Sequence, residues 1–181
     1  QILFLTPKKD TKAEFAPSTA SPISTQSTTI PRGDIHADVA ILGAGPGGYT
    51  AAFRAADLGK KVILIERYSV LGGVCLNVGC IPSKALLHNS HLYTEAAHEF
   101  KERGIEVGTV KLNLKKLMGN KDKIVGDLTK GIEFLFKKNK VTSVFGTAEI
   151  KSAHEVVVTP EDGTPQTLKT KYVLIATGSE S

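Results

Sequence analysis

Cys75 and Cys80 are the only cysteines of the chain, and both fall in Gly72–Leu87, GGVCLNVGCIPSKALL. Thiols five positions apart can serve as a structural staple, as half of a metal site, or as a reactive pair. A disulfide closing a loop of about six residues contributes only about 2 kcal/mol of chain entropy, less than half the value for a 100-residue loop. A regular helix would separate residues i and i+5 by about 8.6 Å, beyond the ~7 Å over which a disulfide can form. The pair can therefore close only where the chain is distorted between the cysteines, and Gly79 permits that. A zinc site would add His88 and His91. The seven residues from Cys80 to His88 are well short of finger spacing, and the histidines sit on a segment that reads as a helix running away from the thiols. The redox reading gains from the neighbours. Cys80 lies two residues before Pro82, which suits the first turn of a helix, and Lys84 follows one turn inside. A helix N-terminus and a nearby cation both favour thiolate.

A second constellation lies upstream. Gly43, Gly45 and Gly48 form GxGxxG in GAGPGG, with Pro46 inside the loop, and Glu66 follows 23 residues after Gly43. Alone this pattern is weak. Here it stands between a short apolar run, Asp38–Leu42, and an alanine-rich segment stopped by Gly59, and Glu66 ends the next apolar run, Val62–Ile65. That order predicts one βαβ unit with a dinucleotide site. Gly43 makes the turn, Gly45 admits a pyrophosphate, and Gly48 brings helix and strand together. The helix N-terminus offers N–H groups to the phosphates, and Glu66 accepts from a ribose.

Further elements must position these groups. A helix is expected from Pro82 through Glu102 to a stop at Gly104, and another over 112–138, where Ile124, Leu128, Ile132 and Leu135 recur at helical spacing. Val141–Phe145 reads as a parallel strand. Short strands are expected at 148–150, 156–159 and 167–169 with a turn at Asp162-Gly163, and Tyr172–Ala176 as a last buried strand ending at Thr177-Gly178-Ser179. The fold class is α/β: a Rossmann-like parallel sheet with helices and a small β-meander, incomplete within these residues.

Composition bounds the rest. The chain has 181 residues, 41% apolar, with net charge +5, and no apolar run approaches the ~18 residues of a membrane span. Nine lysines face three acids over 110–140, with no arginine, which reads as a solvated helical face rather than a nucleic-acid surface. Two clustered cysteines do not make a secreted disulfide framework. Thirteen of the sixteen residues of Ala16–Pro31 are Ala, Pro, Ser or Thr, so 11–34 is expected to be a flexible linker. Residues 1–10, with QILFL, would end a preceding lipoyl-type domain, and the start at Gln1 is expected to be a cut or processed end.

The Cys75–Lys84 wording resembles the active-site signature of the pyridine nucleotide–disulfide oxidoreductases, especially the members that oxidise dihydrolipoamide. Gly43/Gly45/Gly48, Glu66 and the closing YVLIATGS support the resemblance, which covers about 38–179. It implies an FAD-binding domain over 35–181, with Cys75 exchanging with lipoamide and Cys80 against the flavin. FAD contacts are then expected from Gly43, Gly45, Pro46, Gly48, Glu66, Arg67, Gly73, Val74, Cys75, Lys84, Gly146, Thr177, Gly178 and Ser179. A flavin can mediate between a disulfide and a hydride carrier, which favours FAD at the Gly43 loop. The resemblance also implies an NAD domain and a dimer-forming domain with a catalytic histidine. No second GxGxxG follows, and none of His36, His88, His91, His98 or His154 matches that base, so these residues alone are expected not to turn over. The implied partners are a lipoyl domain of a 2-oxoacid dehydrogenase complex and a second copy of the full-length chain. Nucleic acid and membrane are not expected as partners. The compartment would be the cytoplasm, or the mitochondrial matrix in a eukaryote. A glutathione- or mercuric-type reductase and a non-catalytic FAD-binding redox module are the alternatives.

Overall fold

The computed structural model describes residues 35–160 and 163–179. The expected linker, QILFL and Asp162 of the expected turn lie outside them. The chain runs β1 (Ile35–Leu42), α1 (Pro46–Asp57), β2 (Val62–Glu66), α2 (Gly73–Asn77) and α3 (Cys80–Thr94), then α4 (Leu114–Lys138), β3 (Thr142–Phe145), β4 (Thr147–Ser152), β5 (Glu155–Thr159) and β6 (Gln166–Ile175). The six strands form one sheet in the order β3-β2-β1-β6-β5-β4. β1 pairs in parallel with β2 and β6, and β2 with β3; β5 is antiparallel to both β4 and β6. This is the expected α/β sheet with its meander.

The strand sequences fit burial on both faces. β2 is VILIE, and all five residues are buried, as expected of a central parallel strand. Ile41, Val62 and Leu64 face Ala52 of α1 and Phe136 of α4, whereas Ala40, Leu42, Ile63 and Ile65 face Val156 and Val158 of β5. The sheet thus lies between a helical layer and its own curled meander. Phe53 of α1 meets Phe136 edge-on at 5.4 Å between centroids, tying the two helices together. The lysines of α4 stay largely on its outer side, and its interior positions carry Thr129 and Phe136.

Several boundaries differ from expectation. β1 begins at Ile35 rather than Asp38, because its first residues pair with Leu168–Thr170. The segments 167–169 and 172–175 are one strand, with Thr170 between them fully buried and its hydroxyl donating to the Tyr172 carbonyl at 3.0 Å. The expected burial of 172–176 does not hold, since Tyr172, Leu174 and Ile175 are exposed on a strand that ends at Ile175. The helix expected to reach Glu102 is α-helical only to Thr94. It widens into a π turn at Glu95–Glu99 and tightens into a 3₁₀ turn at Lys101–Arg103, ending on Gly104 at φ 75°. α4 starts at Leu114 rather than Leu112, because the Asn113 side chain caps it by accepting from Lys116 N–H at 2.9 Å.

Candidate active site: a glycine loop docked to a disulfide

The carboxyl ends of β1, β2 and β6 meet at one edge of the sheet. Gly43 leaves β1 at φ 103°, and a Cβ there would lie 2.3 Å from the Ala176 carbonyl oxygen, so only glycine turns here. A Cβ on Gly48 would strike the Gly43 carbonyl oxygen, which sets how closely α1 approaches β1. α1 opens with Pro46 behind an N-cap Gly45 that makes no side-chain capping bond. Its first-turn N–H groups therefore point from the loop without a side-chain acceptor. A Cβ on Gly45 would meet nothing nearer than Gly73 Cα at 3.9 Å. An uncapped helix terminus behind open backbone fits a dinucleotide pyrophosphate.

Glu66 ends β2 and is 6% exposed. Its carboxylate accepts from Ala44 N–H at 2.8 Å through Oε2 and from Tyr68 N–H at 3.0 Å through Oε1. Each oxygen keeps a further lone pair, which is what ribose hydroxyls would need. Arg67 turns outward, its guanidinium 4.7 Å from the Tyr68 ring centroid and donating to the Tyr68 hydroxyl at 2.7 Å. Gly146 N–H donates to the Glu66 carbonyl at 2.8 Å, which puts the β3–β4 corner beside Glu66. Thr177 follows Ala176 against the Gly43 loop, with Gly178 at φ 83° and Ser179 exposed beyond it.

The cysteines reach this edge through α2, an element that periodicity did not reveal. Leu71 is buried in the helical layer, and Gly72, at φ 107°, donates its N–H to the Ala44 carbonyl at 2.9 Å. A Cβ on Gly73 would lie 2.5 Å from Gly45 Cα. α2 is thereby seated against the glycine loop. Val74 is exposed, and Cys75 is half-buried on the same short helix. The chain then breaks at Val78-Gly79, with Gly79 at φ −108° and ψ −101°, and α3 begins at Cys80. The break brings the two Cα atoms to 4.7 Å, and Cys75 and Cys80 are joined in a disulfide. Gly79 is thus where the required distortion occurs. Cys80 is the more exposed of the two and occupies the first position of α3; Lys84, one turn on, is exposed.

His88 and His91 point to solvent on α3, and His91 Nε2 lies 3.6 Å from Glu95. Both cysteine sulfurs are committed to one bond, and no group of three or more His, Cys, Asp or Glu able to hold a metal occurs among the described residues. No helix among the described residues is long and apolar enough to cross a membrane. Sequence reasoning missed Asn77, whose amide donates to the Leu71 and Gly73 carbonyls at 3.0 Å each. A polar residue placed between the two cysteines was the available signal.

Residues 37–181 match the family described as pyridine nucleotide-disulphide oxidoreductase. The mitochondrial dihydrolipoyl dehydrogenase of Pisum sativum is 52% identical over 157 residues, 87% of this chain and 31% of that protein. The dihydrolipoyl dehydrogenase of Manduca sexta is 57% identical over 144 residues, 80% of this chain and 29% of that protein. The leghemoglobin reductase of Vigna unguiculata is 54% identical over 143 residues, 79% of this chain and 27% of that protein. The chain spans about three-tenths of the length of these curated relatives. With its disulfide seated on a dinucleotide-type loop and this match over most of its length, the chain belongs to the pyridine nucleotide–disulphide oxidoreductase family.

Proposed function

We propose that the full-length protein carrying this sequence is a flavoprotein that oxidises protein-bound dihydrolipoamide and passes the electrons to NAD. The observation that carries the reading is the Cys75–Cys80 disulfide at the start of α3, on a helix seated against the Gly43–Gly48 loop. The loop and α1 terminus would hold the FAD pyrophosphate and Glu66 its ribose, with Arg67 and Gly146 at the adenine end. Gly73, Val74, Lys84 and Thr177–Ser179 would line the remainder. When bound, FAD supplies a two-electron relay between the dithiol and the nicotinamide.

The protein's own part is thiol–disulfide exchange. One thiolate of dihydrolipoamide attacks Cys75 Sγ, the Cys75–Cys80 bond breaks, and Cys80 leaves as a thiolate favoured by the α3 N-terminus. The second lipoyl thiol, after losing its proton to a base, attacks its own sulfur in the mixed disulfide and releases Cys75. Dihydrolipoamide is oxidised by two electrons to lipoamide, and the cysteine pair is reduced by two. The NAD site, the histidine base and the dimer interface belong to other parts of the full-length protein. A lipoyl domain of a 2-oxoacid dehydrogenase complex is the partner. The mitochondrial matrix is the compartment, in keeping with the mitochondrial name of the Pisum sativum relative.

The test is anaerobic reduction of the full-length flavoprotein by one equivalent of dihydrolipoamide without NAD, followed by alkylation. Two new alkylatable thiols, on Cys75 and Cys80, with one equivalent of lipoamide formed, are expected. Reduction by glutathione but not by dihydrolipoamide would favour the glutathione-type alternative instead.

A further inference from the structure

The disulfide is not all that holds Cys75 near Cys80. The Val74 carbonyl accepts from both Val78 N–H at 2.9 Å and Gly79 N–H at 2.7 Å, closing the backbone between the cysteines. Asn77 adds a second closure that reaches outside this loop. Its amide nitrogen donates to the carbonyls of Leu71 and Gly73, both at 3.0 Å. Leu71 is anchored in the core and Gly73 abuts the glycine loop. Asn77 is half-buried, and α2, on which it sits, is only five residues long. A helix that short does not persist by its own propensity. Its geometry must come from these attachments.

We propose that Asn77 is a positioning residue that sets the redox equilibrium of the cysteine pair. It does so by holding the inter-cysteine loop in its closed geometry whether or not the sulfurs are bonded. A pair kept close after reduction re-forms its disulfide as an intramolecular reaction at high effective concentration. The dithiol is then a stronger reductant than the same thiols on a loose loop. The inference rests on the redox reading of the pair but not on the identity of the dithiol substrate. The balanced reaction is disulfide plus two glutathione to dithiol plus glutathione disulfide.

The full-length flavoprotein is equilibrated anaerobically with glutathione buffers of graded ratio, quenched with acid and alkylated, and Cys75 and Cys80 are scored by mass spectrometry. Asn77→Ala is expected to shift the midpoint about tenfold toward the dithiol, equivalent to about 30 mV for this two-electron couple. Asn77→Gln, which keeps an amide donor on a longer arm, should recover part of the shift. Val78→Ala, at a residue 72% exposed in the same loop, should leave it unchanged. If Asn77→Ala fails to fold, Asn77→Ser takes its place and should shift the midpoint in the same direction. An unchanged midpoint in a folded Asn77 variant, or an equal shift in Val78→Ala, would overturn the proposal. Failure of dihydrolipoamide to reduce the wild-type pair would sink the proposed substrate while leaving this equilibrium measurable.

Discussion

Two carboxylates bracket the β1–β2 unit, and they are held differently. Asp38, near the start of β1, accepts from Lys61 N–H at 2.9 Å and pairs with Lys171 Nζ at 2.8 Å. Glu66, at the end of β2, accepts from Ala44 N–H and Tyr68 N–H, and among the described residues it has no ion pair. Both span the same connection, Glu66 closing its entrance at Ala44 and Asp38 its exit at Lys61. At the Asp38 end the charge is matched by a lysine, and the arrangement is complete without a ligand. At the Glu66 end a buried carboxylate is met only by backbone dipoles and faces an uncapped helix. One end is built to stabilise the fold, and the other keeps hydrogen-bonding capacity in reserve.

The sharpest way to break this contrast is at the glycine loop. Gly43→Ala places a methyl against the Ala176 carbonyl at a positive φ. It should cost about 3 kcal/mol in stability and abolish retention of the flavin. Thermal melts and bound-flavin absorbance after gel filtration check both, and a variant with wild-type melting and full cofactor would refute the tight closure. Next in size is Glu66→Ala, which leaves two N–H donors and the ribose hydroxyls without an acceptor. Flavin affinity should weaken by about 1–3 kcal/mol, read by fluorescence during dilution.

The smallest effect is expected at the other end. The Lys171 ammonium and the Lys61 N–H hold the Asp38 carboxyl below its ordinary value of 3.8. A folded-state pKa below the unfolded one contributes stability that is fully present above about pH 4 and disappears as pH falls through the folded value. The pair is partly exposed, so Asp38→Asn should cost less than about 1 kcal/mol at pH 7. The difference in urea midpoint from wild type should shrink below pH 4, and a difference that grew on acidification would invert the assignment. Flavin content should not change in this variant.

The contrast also explains what was legible beforehand. Gly43, Gly45, Gly48 and Glu66 are readable because their requirements are local: a turn, a close approach and an acid at a strand end. The cysteine pair was readable as a site of distortion for the same reason, since five positions on a regular helix cannot be bridged. α2 was not readable, because five residues carry too little periodicity and its geometry comes from Gly72 and Gly73 docking on the glycine loop and from Asn77 tying back to the Leu71 and Gly73 carbonyls. β6 appeared as two strands because Lys169, Thr170 and Lys171 interrupt its apolar pattern. Only the tertiary setting buries Thr170 and gives Lys169 and Lys171 acidic partners, Glu155 and Asp38. The π turn at Glu95–Glu99 carries no sequence mark that distinguishes it from the helix before it.

The central claim is that Cys75 is the sulfur that meets the substrate and Cys80 the one that leaves. Full-length Cys80→Ser protein, treated anaerobically with a dihydrolipoyl amide whose second thiol is blocked by methylation and whose first is activated as its mixed disulfide with thionitrobenzoate, tests this most directly. Cys75 should displace thionitrobenzoate and retain the lipoyl group, giving a stable adduct on the peptide containing Cys75. Full-length Cys75→Ser protein should form the corresponding adduct at Cys80 far more slowly with its flavin bound. Equal trapping in the two variants, or faster trapping at Cys80, would contradict the assignment.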